Sequence, residues 1–138
     1  MQVTATVNGF ANSSNEAAAL AVNLVGDKKQ SDRAVPLKPM TINAAELAAA
    51  VYACKSVHPD HVPLTDLIIR TCNPYLVGVA DRVDGRWKVN PKTNIELVNA
   101  VRLALEKFKS FKVVLDQDSE AMVAVKAKAR SFQEKTTA

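Results

Sequence analysis

Alternation carries the first signal in this chain. Across residues 2–7, Val3, Ala5 and Val7 recur at every second position against polar neighbours, the pattern of a half-buried strand. The pattern stops at Asn8-Gly9, a dipeptide that favours hairpin turns. A polar run, 11–15, follows instead of a second strand, so the pair reads either as a turn or as a strand end that opens on a site. Residues 17–25, AAALAVNLV, suit a helix or a strand; their length and the Gly26-Asp27 that closes them favour a strand. A third extended segment is predicted over 33–40, where Pro36 and Pro39 call for an edge position.

The period then changes. Asn43 can cap a helix with Glu46 reaching back as its capping-box partner, and Leu47, Val51, Cys54 and Val57 mark the buried stripe up to Pro59. DLIIRT, residues 66–71, reads as a short strand buried on both faces. Asn73 and Pro74 fit the cap and first position of another helix, and Asp84-Gly85 turns the chain. Thr93 and Glu96 make a second capping box for a helix over 93–109, with Leu97, Val98, Val101, Ala104, Leu105 and Phe108 on one stripe. FKVVL, 111–115, is a strand, and Asp118-Ser119 caps a last helix of about three turns ending near Phe132. The order of three strands, helix, strand, two helices, strand and helix predicts an α/β fold. Its mixed five-stranded sheet has three antiparallel strands followed by parallel ones, with helices on both faces. One domain over 1–133 and a flexible tail over 134–138 complete the picture.

Composition narrows the class. The 138 residues are 48% apolar and 23% charged, ordinary for a soluble globular domain long enough to bury a core. No apolar run has membrane-spanning length, and the first residues lack a secretory pattern. With only Cys54 and Cys72, free thiols in a reducing, cytoplasmic setting are expected. The net charge of +4 is concentrated in the last third, at Lys107, Lys109, Lys112, Lys126, Lys128, Arg130 and Lys135. Such clustering attracts a polyanion or forms a solvated surface.

Few residues suggest chemistry alone. Cys72 reads as a small core residue at a strand end rather than a nucleophile, because no His lies near it in the chain. His58, Asp60 and His61 suggest a metal clip, but two His and one Asp in a Pro-containing turn suit a surface loop better. Trp87, beside Lys88 and near Lys92, could stack on a base; sealing the sheet edge is the favoured reading.

Four segments together carry a resemblance. VTATVNGFANSSN is similar to the first strand and Asp-Gly loop of ribonuclease H, and NAAELAAAVYACKSV to that family's Glu-Leu helix. LIIRTCNPYLV resembles its strand ending in Thr-Asp-Ser-x-Tyr, and WKVNPKTNIELVNAVRLAL its Trp-Lys and Lys-Asn segment before a long helix. The chain resembles the compact form that lacks the basic protruding helix. The resemblance implies a site in which four acidic side chains hold two divalent metals that cleave RNA in an RNA–DNA hybrid.

At those four positions the sequence departs from the family. The first holds Asn8 and the second Glu46; the third falls on Cys72, or on Asn73 with a one-residue shift, and the fourth on Lys126 if KAKAR overlays the family pattern. One carboxylate cannot hold two hard cations, although Asp116, Asp118 or Glu120 could rebuild a site. Lys126 paired with Glu46 is one expected remnant, and a capping-box role for Glu46 is the other. By resemblance, Asn15, Asn43, Trp87, Lys88, Lys92 and Arg130 are candidates for nucleic-acid contact. The expected function is a catalytically inactive binding or regulatory module for nucleic acid (hybrid or duplex) or for a nucleic-acid-processing protein, without cofactor or metal. The alternatives are a protein-only docking or inhibitor module of a virus or mobile element, and a ribonuclease with a rebuilt metal site.

Overall fold

The computed structural model describes residues 1–12, 14, 17–27 and 29–137, with side chains described as far as Phe132. Strands β1 (Gln2–Ala11), β2 (Ala18–Val25) and β3 (Gln30–Leu37) precede helix α1 (Ile42–Lys55). A 3-10 turn (Val62–Leu64), β4 (Asp66–Thr71), α2 (Pro74–Val79) and a small hairpin, β5 (Arg82–Val83) with β6 (Arg86–Trp87), follow. The chain ends with α3 (Ile95–Glu106), β7 (Ser110–Leu115) and α4 (Glu120–Thr137), which runs past the predicted end at Phe132. The main sheet has the order β3-β2-β1-β4-β7. Its β1–β2 and β2–β3 pairs are antiparallel, and β1–β4 and β4–β7 are parallel, as the alternation of elements predicts.

β1 does not stop at Asn8. Pairing with β2 continues through Asn8↔Ala21 and Gly9↔Leu20 to Ala11↔Ala18, so Asn8-Gly9 is strand interior and not a turn. The hairpin signal is realised instead at Asp84-Gly85, where both residues have positive φ and join β5 to β6. β3 lies at the sheet edge and carries Pro36 where no outer neighbour needs an N–H.

The two faces of the sheet differ. Helix α1, rich in alanine, packs against β1, β2 and α3, and its buried residues include Ala45, Leu47, Ala49, Ala50 and Ala53. Small side chains let it approach the sheet closely and bury most of its circumference. Its other side is covered by α3, through Val98, Val101 and Leu105. On the opposite face α4 covers β1, β2 and β3, with Met122, Val125 and Ala129 packed on Ala21 and Phe10. β4 is therefore deeply buried only on the α1 side, at Leu67, Ile69 and Thr71. Arg70 on the other face is exposed, contrary to the expected burial on both faces.

Two predicted caps also shift. α1 is capped by Thr41, whose Oγ1 accepts the Ala44 N–H at 3.2 Å, so Asn43 lies inside the helix. α3 starts after Asn94 in the left-handed region, without a side-chain cap from Thr93. Asn73 and Ser119 do cap α2 and α4, accepting from the N–H groups of Tyr75 (2.8 Å) and Met122 (3.1 Å).

Candidate functional site

The candidate site lies where β4 ends beside β1. The last β1–β4 partners are Val7↔Thr71, so the N–H of Gly9, farther along β1, has no strand opposite it there. A buried donor in that position needs an acceptor. Glu46 supplies it: one carboxylate oxygen accepts the Gly9 N–H and the other accepts the Thr71 hydroxyl at 2.5 Å. Gly9 makes this possible because any Cβ there would overlap the backbone of Ala45 and Glu46. The glycine is a crossing point between strand and helix.

From Thr71 the hydrogen bonds run outward. Its Oγ1 accepts the Asn73 N–H at 3.0 Å, and Asn73 Nδ2 donates to Asn43 Oδ1 at 3.0 Å on the surface. Asn8, on the α4 side of β1, is buried and donates from Nδ2 to Cys72 Sγ at 3.5 Å, a weak contact because sulfur is a poor acceptor. Cys72 packs against the Met122–Val125–Ala129 face of α4. Lys126, next to Val125, is half-buried.

Electrostatics follow burial. Glu46 is 1% exposed, and removal from water pushes its carboxyl up to about 7. The bonds from Thr71 and Gly9 and the charge of Lys126 pull the other way without cancelling this. Near neutral pH the group is therefore divided between acid and carboxylate. Lys126 acts on it from a distance: the expected ion pair with Glu46 is not among the ion pairs of the described residues. The capping-box role expected for Glu46 is also overturned, because its oxygens face the sheet end and Thr41 starts the helix.

The donor set does not fit a pair of hard divalent cations, which take several oxygen ligands, preferably charged. Among the described residues no cluster of three or more His, Cys, Asp or Glu is placed to hold a metal. Asp116 follows β7 near Thr71, and its carboxylate accepts from Ser119 Oγ (2.6 Å) and from the Asp118 and Ser119 N–H groups, and pairs with Arg70 at 3.4 Å. Those bonds, that to Ser119 Oγ foremost, hold its carboxyl below the usual range. Asp118 and Glu120 are exposed. His58 meets Asp60 at 3.7 Å and lies 5.4 Å from the His61 ring in an exposed loop.

The structure gathers only part of the predicted nucleic-acid set. Asn43 joins the site through Asn73, and Arg130 is exposed one turn beyond Lys126 on α4. Asn15 lies outside the described residues. Trp87 stacks on Phe111 with centroids 5.9 Å apart, lies under the guanidiniums of Arg82 (4.2 Å) and Arg102 (4.9 Å), and donates to Glu106 at 3.2 Å. Phe111 pairs with Leu67, whereas the site is level with Thr71, so the indole's stacking partner sits four residue steps, about 13 Å, down the strand. Lys88 pairs with Asp81 at 3.7 Å, and Lys92 is exposed ahead of α3.

Sequence reasoning missed Gly9, Thr71 and Arg102. A lone glycine inside an alternating strand is itself a sign of close backbone approach, and would have found the first. Arg102 is buried and donates to the Val79 and Val89 carbonyls at 2.9 and 2.7 Å, tying the end of α2 to the segment before α3. Nothing local announces that role.

No protein-family profile and no curated protein matches the chain. Solved structures do. It is similar to RNase H1 from the halophilic archaeon Halobacterium salinarum, with 19% identity and TM-score 0.76 over 98% of this chain and 99% of that one. It is similar to the N-terminal RNase H domain of a Mycobacterium tuberculosis protein, with 15% identity and TM-score 0.75 over 95% and 98%. It is also similar to LC11-RNase H1, solved in complex with an RNA/DNA hybrid, with 14% identity and TM-score 0.79 over 99% of both chains. The chain has the ribonuclease H-like fold.

Proposed function

We infer that this ribonuclease H-like domain binds nucleic acid, an RNA–DNA hybrid or a related duplex, without cutting it. One observation carries the reading: Glu46, the one acid among the four positions at which the resemblance implies acids, is buried, with both oxygens committed to Gly9 and Thr71. The three other positions at which the resemblance implies acids hold an amide, a thiol and an ammonium: Asn8, Cys72 and Lys126. Two-metal hydrolysis depends on charged oxygens that clamp both the attacking and the leaving group. In their place α4 offers Lys126 and Arg130, cations suited to backbone phosphates. The hybrid bound by a similar structure supports the choice of ligand.

The test is a mobility shift on labelled RNA–DNA hybrid with Mg²⁺, with Mn²⁺ and with chelator. The expected result is a retarded band of uncut hybrid under all three conditions, weakening steeply as salt rises. Turnover abolished by Glu46→Gln, or no retardation at low salt, would reject the reading.

A further inference from the structure

A second surface lies away from this site and has different chemistry. Between the C-terminal halves of α1 and α3 runs a groove of about 680 Å³. Its walls are Val51 and Cys54 of α1, Leu103 and Ala104 of α3, Val62 of the 3-10 turn, and Phe108. Leu103 is 62% exposed, the highest value for any large apolar side chain among the described residues, and Leu64, beside the groove-lining Pro63, follows at 59%. The only charged residues lining the groove are Lys55 and Lys107, at the ends of the two helices. Neither belongs to an ion pair of the described residues. A helix C-terminus presents about half a negative charge, so one lysine at each end leaves net positive charge at the rim.

We propose that this groove docks an acidic amphipathic segment of a partner protein. The partner's apolar side chains would enter between Leu103 and Val62, and its carboxylates would meet Lys55 and Lys107. The walls choose protein over nucleic acid: their one aromatic ring, Phe108, is buried, and no exposed ring offers a base a stacking platform. An aliphatic trough with basic rims is the complement of an acidic helix that presents anchors on one face. Cys54 lies about 12 Å along α1 from Glu46, which leaves the candidate nucleic-acid site open while the groove is filled.

The experiment uses the full chain and a fluorescein-labelled peptide of about 14 residues with leucines on one helical face and glutamates elsewhere. A control peptide carries lysines in place of the glutamates. Anisotropy should show the acidic peptide binding at least about tenfold tighter than the basic one, and Leu103→Asp weakening it by at least about tenfold. Lys55→Glu with Lys107→Glu should weaken it further, and Leu103→Asp should leave hybrid retardation unchanged. Leu103 is exposed, so the aspartate variant should fold, which its circular dichroism checks. Equal affinity for the two peptides would overturn the proposal, as would indifference to Leu103→Asp. Loss of hybrid binding in that variant would assign the groove to nucleic acid, and a concentration-dependent dimer abolished by it would assign the groove to a second copy; either result also overturns the proposal.

Discussion

The two sides of β1 at the site end differ in what their polar groups serve. On the α1 side, Gly9, Glu46 and Thr71 are locked together, with a glycine required by contact and a buried carboxylate accepting two hydrogen bonds. On the α4 side, Asn8 and Cys72 share one weak contact, and Lys126 acts only through its field. Of the four positions at which the resemblance implies acids, the one that holds an acid is the one whose acid the fold itself uses. Glu46 fills the gap left where β4 stops, and replacing it would orphan a buried N–H. The contacts of Asn8, Cys72 and Lys126 close no comparable gap in the sheet.

The largest expected effect breaks the α1 side outright. Gly9→Ala puts a methyl group into the Ala45–Glu46 backbone, and neither strand nor helix can yield without losing pairing. Urea denaturation should show a loss above about 4 kcal/mol, or no folded protein. A loss below about 1 kcal/mol would mean that the close crossing is not real.

Next comes the titration of Glu46. Its folded value, about 7, lies above the ordinary 4.5, so the folded chain holds the proton more tightly than the unfolded one. The resulting stability is complete below pH 4.5, declines as the pH rises towards 7, and is gone above it. The span corresponds to about 3 kcal/mol. Denaturation midpoints measured from pH 4 to pH 8 should fall accordingly, and Glu46→Gln should flatten the curve. A wild-type curve already flat over that range would remove the buried acid from the argument.

How much of this was legible before the fold was known depended on the range of each signal. The β4 and β7 segments, the Asn73-Pro74 start of α2 and the Ser119 cap needed only a few neighbouring residues, and all stand in the structure. Asn8-Gly9 reads in sequence as a turn or a strand end, whereas β1 runs on through it, because the helix that excludes a Cβ at Gly9 lies far along the chain. Glu46 was legible as a site position through resemblance and, at the same time, as a cap through spacing. Only the tertiary contact with Gly9 separates these readings. Trp87 shows the reverse case: of its two readings, a platform beside lysines and a seal on the sheet edge, the second fits the arginines of β5 and α3 over its ring and the stacked Phe111 of edge strand β7.

The α4 side should respond through binding, with little change in stability. Lys126→Glu places a second acid near Glu46 and removes a cation, so hybrid affinity at low salt should drop about tenfold and the salt dependence should shallow by about one unit of slope. Lys128→Glu is the matched control. Lys128 already faces Asp32 at 3.8 Å on β3, and its reversal should weaken binding less. Equal effects of the two substitutions would make α4 a diffuse basic surface and erase the contrast between the two sides of β1.

The smallest effect tests whether Glu46 is free of helix capping. Two overlapping signals begin α1: Thr41 with its hydroxyl on the Ala44 N–H, and Asn43 with Glu46 in capping-box spacing. Only one can set the first turn, because a cap residue must be extended while the residues after it are helical. Thr41 is extended, at φ −73° and ψ 164°. Thr41→Ala should therefore cost about 1 kcal/mol, and Asn43→Ala only a few tenths, from its exposed bond to Asn73. If the costs were reversed, Asn43 would be the cap, Glu46 would be tied to the helix start, and the carboxylate could not also bridge Gly9 and Thr71. The tertiary account of why this acid is present would fall with it.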